Sequence, residues 1–249
     1  MKRLGLGAAV ALLLTLLAMT KVPARAVVPF LDDEQLRLSG VSGTVLDGHA
    51  ARAMVQTPAG FLHLGQVSWR LQLSSLLTFS PRLELRSDWG QQRLSAQARL
   101  GSERMSLSEV DARIDAGVLQ QFVPADLGGQ VSALFDDLVI EQQQVQSANG
   151  RLVWQDASWR ASTGVRSLGT YVATIESSTA EQLEINVETL AGPLQVAGTA
   201  TLQGRRYDLD LQLAPAVVGS DPELERALSL VASPSENGYR LRLDGELQP

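Results

Sequence analysis

From Leu36 almost to the C-terminus, apolar residues alternate with polar or small ones, a period of two that sends successive side chains to opposite faces of a strand. The cleanest runs are Val67-x-Trp69-x-Leu71-x-Leu73, Leu94-x-Ala96-x-Ala98-x-Leu100, Leu183-x-Ile185-x-Val187 and Leu194-x-Val196-x-Gly198-x-Ala200-x-Leu202. Gln203-Gly204-Arg205-Arg206 then turns the chain into Tyr207-x-Leu209-x-Leu211-x-Leu213, which predicts a hairpin. Asp47-Gly48 has the composition of a tight two-residue turn, and Asn149-Gly150 reads as a second turn. Thr57-Pro58-Ala59-Gly60 and Ser74-Ser75-Leu76-Leu77 interrupt the alternation, which restarts at Pro81, so the strands are expected to be short, with short connections.

Two stretches leave this period. Leu224, Ala227, Leu228 and Val231 recur at helical spacing, with Asp221 placed to cap, Pro222 at the first helical position, Glu223 complementing the dipole and Pro234 beyond the end. Val118, Leu119, Phe122 and Val123 suggest one or two further helical turns, stopped by Pro124. A strand broken by glycine recurs weakly at residues 38–44, 127–131 and 196–200. Glycine within a strand marks a bulge, a bend or a close backbone approach, which suggests a sheet that curves into a half-barrel or groove; ordinary hairpin punctuation would produce the same pattern. The expected fold class is therefore all-β: a curved, antiparallel, glycine-punctuated sheet with one or two short helices, preceded by an N-terminal transmembrane helix.

That N-terminal element is the uncharged run at residues 4–20, preceded by Lys2 and Arg3 and followed by Lys21. It lies near the lower limit for spanning a hydrocarbon core, which takes roughly 20 apolar residues. The ending Ala24-Arg25-Ala26 also suits a signal peptidase, so the residues leave open a cleaved signal and an uncut anchor. Basic residues flank the run on both sides, so charge does not decide its orientation.

About 220 residues follow, enough for one large all-β domain or two small ones. The chain has no cysteine, which excludes a disulfide scaffold, a thiolate nucleophile and Cys-ligated metal. A translocated chain without disulfides fits a bacterial periplasm. A net charge of −6 with both signs interspersed argues against nucleic acid. Every basic residue beyond Lys21 is arginine, read as a composition bias before a carboxylate or phosphate clamp. Asp47 and His49 could be imagined as an acid and base pair, but a turn and a strand account for them. Asp32-Asp33-Glu34 and Asp136-Asp137 lack the spaced ligands of a calcium loop. No Gly-x-Ser-x-Gly elbow or phosphate loop occurs. Trp69 and Trp154 read as sheet-face packing, with Trp89 and Trp159 open to the same role or to lining a groove. No catalytic, cofactor-binding or metal-binding residue is assigned, and neither cofactor nor small-molecule substrate is expected.

In order, these features resemble the type II secretion system protein N family, also called general secretion pathway protein N. The likeness starts with the basic residues, the apolar run and Val22-Pro23-Ala24. Leu38-Ser39-Gly40-Val41-Ser42-Gly43-Thr44-Val45-Leu46-Asp47-Gly48 is similar to the family's early glycine hairpin, although an aromatic often stands where this chain has Leu46. Val67-Ser68-Trp69-Arg70-Leu71 with Leu76-Leu77, then Asn149-Gly150-Arg151-Leu152-Val153-Trp154 with Trp159, resemble its tryptophan strands. Gly204-x-x-Tyr207 and Tyr239-Arg240-Leu241 through Gly245 resemble its C-terminal end. The resemblance implies a non-enzymatic, single-pass inner-membrane protein that assists export of folded proteins across the outer membrane. Residues 1–3 would be cytoplasmic, 4–22 the transmembrane anchor or uncleaved signal, and 23–249 a periplasmic β-rich domain. It implies other apparatus proteins as partners, besides the membrane itself. From the residues alone, a periplasmic β-groove that binds or bridges lipid is the alternative.

Overall fold

The computed structural model describes residues 21–26, 36–57, 60–72, 75, 81–101, 104–121, 125–141, 144–179, 182–215 and 222–246. The run 4–20, Asp32-Asp33-Glu34, the helix stop at Phe122, Val123 and Pro124, and the Asp221 cap lie outside these residues. Among the described residues no helix is long and apolar enough to cross a membrane, and the run expected to do so is not among them. The described chain is all-β and antiparallel, with one α-helix and short 3-10 segments. It divides into two compact units, one holding the residues up to Gly90 with 97–100, the other 91–96 and the chain from Gly101 onward.

In the first unit β1 (Leu36–Gly43), β2 (Asp47–Thr57), β3 (Gly60–Leu71) and β4 (Arg82–Trp89) each pair with the next. Strand β5 (Gln92–Leu100) contributes residues to both units. The turn expected at Asp47-Gly48 lies earlier in the chain. Both residues open β2, with Gly48 opposite Gly43. The reversal occurs over residues 44–46, where the Thr44 hydroxyl accepts the Asp47 N–H at 3.1 Å and the Thr44 N–H donates to the Asp47 carbonyl at 2.8 Å. Gly48 is needed for packing: a Cβ there would come within 2.6 Å of the Trp69 ring. Trp69 in turn donates its indole N–H to the Val45 carbonyl at 3.1 Å, fixing the hairpin.

The second unit holds β6 (Arg104–Asp115), β7 (Leu127–Glu141), β8 (Gln144–Ala161), β9 (Gly164–Thr179), β10 (Gln182–Ala191), β11 (Leu194–Gln203) and β12 (Arg206–Pro215), each beside the next. After β12 come α1 (Pro222–Val231), β13 (Ser233–Ser235) and β14 (Gly238–Glu246); β14 pairs with β12, and β13 lies outside it. The hairpin at residues 203–206 and the helix both form where the sequence predicts them. The weaker helical signal becomes a 3-10 segment, Ala116–Gln121, whose start is held by the Asp115 carboxylate accepting the Gly117 N–H at 2.8 Å.

Two expectations are corrected here. The strands are not short: β7 has 15 residues and β8 has 18. Asn149-Gly150 is not a turn but the middle of β8, paired on both sides. The residue types that usually bend a chain serve the sheet instead. Asn149 donates its amide to the Asp137 carboxylate at 3.1 Å and accepts the Ser177 N–H at 3.1 Å, tying β8 to both neighbours. Gly150 leaves the room that the Leu134 carbonyl and the Phe135 ring occupy. The register slips beside it, between Phe135 and Asp137, so β7 bulges at Asp136 and the alternation loses phase there.

Candidate docking face

Directly opposed residues in antiparallel strands share a face, so the register of the second unit sorts its side chains by chemistry. Phe135 stands opposite Gly150, Gly150 opposite Ile175, and Ile175 opposite Ile185. Ile185 faces Ala200, Ala200 faces Leu209, and Leu209 faces Leu243. Two residues along, the next row reads Ala133, Leu152, Ala173, Val187, Gly198, Leu211 and Leu241. Neither row contains a polar side chain. The opposite face reads Leu134 on β7, which is 48% exposed, and then only polar residues, Arg151, Thr174, Asn186, Thr199, Asp210 and Arg242. The sheet is amphipathic across the six strands from β8 to β12 and β14.

One end of the apolar face is covered. Helix α1 lays Leu224 and Leu228 against Leu168, Tyr171, Leu194 and Leu213, with Trp154, Trp159 and Tyr239 packed alongside. Burying each leucine stabilises by roughly 1.5–3 kcal/mol. Tyr171 is buried but satisfied, its hydroxyl lying 2.8 Å from the Leu168 carbonyl and 3.1 Å from that of Leu194. Burial pushes this phenol up to about 12. The Trp154 ring lies 6.0 Å from that of Tyr171 and donates its N–H to the Gly128 carbonyl at 3.1 Å. Beyond the helix, no side chain in the two apolar rows is fully buried, and Leu243 is 47% exposed.

The helix start is pinned by Glu223. Its carboxylate accepts the Ser162 hydroxyl and the Thr163 hydroxyl, each at 2.5 Å, and the Ser162 N–H at 3.2 Å; Arg166 lies 3.7 Å away. The two hydroxyl bonds, ahead of the Arg166 charge, hold its pKa below the ordinary 4.5. A carboxylate lowered on folding stabilises fully above its unfolded value, and that contribution is lost as the pH falls through the folded one. Acid titration of the wild type should therefore show α1 loosening as the pH falls below the ordinary 4.5, read by limited proteolysis, whereas Glu223→Gln should already be looser at neutral pH and change little on acidification. Equal acid sensitivity of the two proteins would remove Glu223 as the pin.

The residues weighed for chemistry have other engagements. Asp47 accepts the Arg70 Nε–H at 3.2 Å, and His49 Nε2 lies 2.8 Å from the Ser42 hydroxyl. Each side chain thus hydrogen-bonds a partner other than the other one. Asp137 serves Asn149, and Asp136 sits in the β7 bulge. Trp69 and Trp154 pack on sheet faces as read, Trp159 joins the α1 core, and Trp89 is 46% exposed. An apolar sheet face is implicit in the β-groove expected as the alternative, although its rows are not. The alternation signals it strand by strand, but only the register joins the strands into one surface.

A family model described as type II secretion system (T2SS), protein N, matches residues 34–242 of the chain. No curated protein and no solved structure matches it.

Proposed function

Because the chain belongs to the type II secretion system protein N family, we propose that it is a non-enzymatic accessory part of the secretion machine that works by docking other apparatus proteins. Residues 4–22 hold it in the inner membrane, residues 1–3 stay cytoplasmic, and 23–249 lie in the periplasm. The observation that carries the docking is the pair of uninterrupted apolar rows that the chain leaves only partly buried beyond α1. A face of this kind loses water contact only when something covers it, and another protein of the same machine is the occupant that the family suggests.

A photo-crosslinking residue placed at Ile185 on this face, and separately at Asn186 on the other, tests the reading in cells that carry the secretion system. Adducts with apparatus proteins are expected from position 185 and not from 186. Adducts equal from both positions, or none from either, would reject it. The same two rows favour a second reading, in which the face shelters acyl chains, because no charged or polar group interrupts them. In that case position 185 would yield lipid adducts by mass spectrometry in place of protein ones.

A further inference from the structure

Strand β14 is paired with β12 along residues 239–246, but on its other side β13 covers only Gly238, Tyr239 and Arg240. Among the described residues no strand covers the outer edge from Leu241 to Glu246. Pro234 reveals which backbone groups that edge offers. It stands opposite Tyr239 and has no N–H to donate, so this is a non-hydrogen-bonded pair and Tyr239 directs its N–H and C=O toward β12. Alternation then turns the N–H and C=O of Arg242 and Asp244 outward.

Charge along the edge is polarised. Asp210 accepts Arg240 at 2.7 and 2.5 Å and Arg242 at 2.8 Å, two cations on one carboxylate. These contacts hold the Asp210 carboxyl well below the usual carboxylate range. One pair further on, Asp208 stands opposite Asp244, like charge against like charge, and neither has an ion pair among the described residues. Apolar exposure gathers here too. Leu230 is 82% exposed and Val231 63%, at the end of the helix that runs into β13, and Leu243 at 47% lies within the open edge.

From this we propose that the outer edge of β14 pairs with the same edge of a second copy of the chain, antiparallel about a two-fold axis through Leu243. In that register Leu243 meets its own counterpart as a non-hydrogen-bonded pair, the closer kind, and Arg242 meets the second copy's Asp244 as a hydrogen-bonded one. Each copy's surplus cation thereby reaches the other's Asp208 and Asp244 carboxylates. Leu241 meets glycine at position 245, the smallest residue, beside the corner where β13 ends the ladder. Moving the axis one residue either way would set Arg242 against itself or Asp244 against itself, so charge selects this register.

The chain has no cysteine, so a single introduced thiol reports directly. In the full chain in mild detergent, Leu243→Cys should form a disulfide-linked dimer under gentle oxidation, because opposed residues of a non-hydrogen-bonded pair are close enough to bridge. Leu190→Cys, 60% exposed on β10, should not. Adding Arg242→Asp or Asp244→Arg to the Leu243→Cys chain should each cut the dimer yield at least about tenfold. Mixing those two variants should restore it, since the introduced aspartate of one copy then meets the introduced arginine of the other, and the native Asp244 of the first meets the native Arg242 of the second. Circular dichroism confirms that each variant folds, and if one does not, the other still carries the comparison. Equal yields from positions 243 and 190, a yield indifferent to the charge changes, or a mixture no better than its parts would overturn the pairing.

Discussion

Replacing Gly129 with valine should melt the second unit far below the wild-type temperature. Gly129 sits at the β7–β8 bulge with φ near +105°, a conformation that side-chain-bearing residues rarely adopt. A Cβ there would lie 2.5 Å from the Gln155 carbonyl oxygen and 2.6 Å from that of Asp156. Both obstacles are backbone, and Asp156 is itself held at φ 49°, so neither can rotate aside. Strain of this kind costs about 1–3 kcal/mol before the displaced ladder is counted. With roughly 2–4 °C of Tm per kcal/mol in a body of this size, Gly129→Val should lose at least about 5 °C, and Gly129→Ala somewhat less. Thermal circular dichroism measures it; a change within about 2 °C for valine would mean that the bulge relaxes freely.

The second large effect is expected from Leu228→Asp. This side chain is 8% exposed and lies in the cluster where α1 meets Leu168, Tyr171, Leu194 and Leu213. A carboxylate there loses about 2–5 kcal/mol of packing and must also leave water or take up a proton. The strand ladders do not pass through the helix, so the expected result is an undocked α1 over a sheet that keeps its strand signal. Limited proteolysis should cut within residues 222–231, and Tyr171 should become accessible to titration. Leu230→Asp, on the same helix but 82% exposed, should change neither. If Leu228→Asp proved as resistant as the wild type, the helix would not be what closes that end of the face. If both variants were cut equally, the proteolysis would be reporting fraying.

These two sites differ in how far the sequence reveals them. The helix was readable because Leu224 and Leu228 repeat at helical spacing and Pro222 marks its start. The role of Gly129 was readable only as one member of a weak glycine repeat. Its actual constraint comes from the Gln155 and Asp156 carbonyls, brought against it by the β7–β8 register. The same holds for the two misplaced turns. Asp47-Gly48 and Asn149-Gly150 carry turn chemistry, yet Trp69 and Phe135 press on those glycines from neighbouring strands. A tertiary contact can require glycine as firmly as a turn can, and local composition does not separate the two demands.

By itself, the sequence determined the all-β class, the hairpin at residues 203–206, the helix from Pro222 to Val231, and an ordering of motifs sufficient to suggest the family. Those features rest on interactions between residues close in the chain, so their signals survive without a structure. The tertiary structure decided which side of each strand joins which. Bulges at Asp136, Asp156 and elsewhere shift the phase of the alternation, and strand pairing alone restores it. Only then do Phe135, Ile175, Ile185, Leu209 and Leu243, spread along the second half of the chain, become one apolar row, and only then does β14 emerge as a strand with an uncovered outer edge.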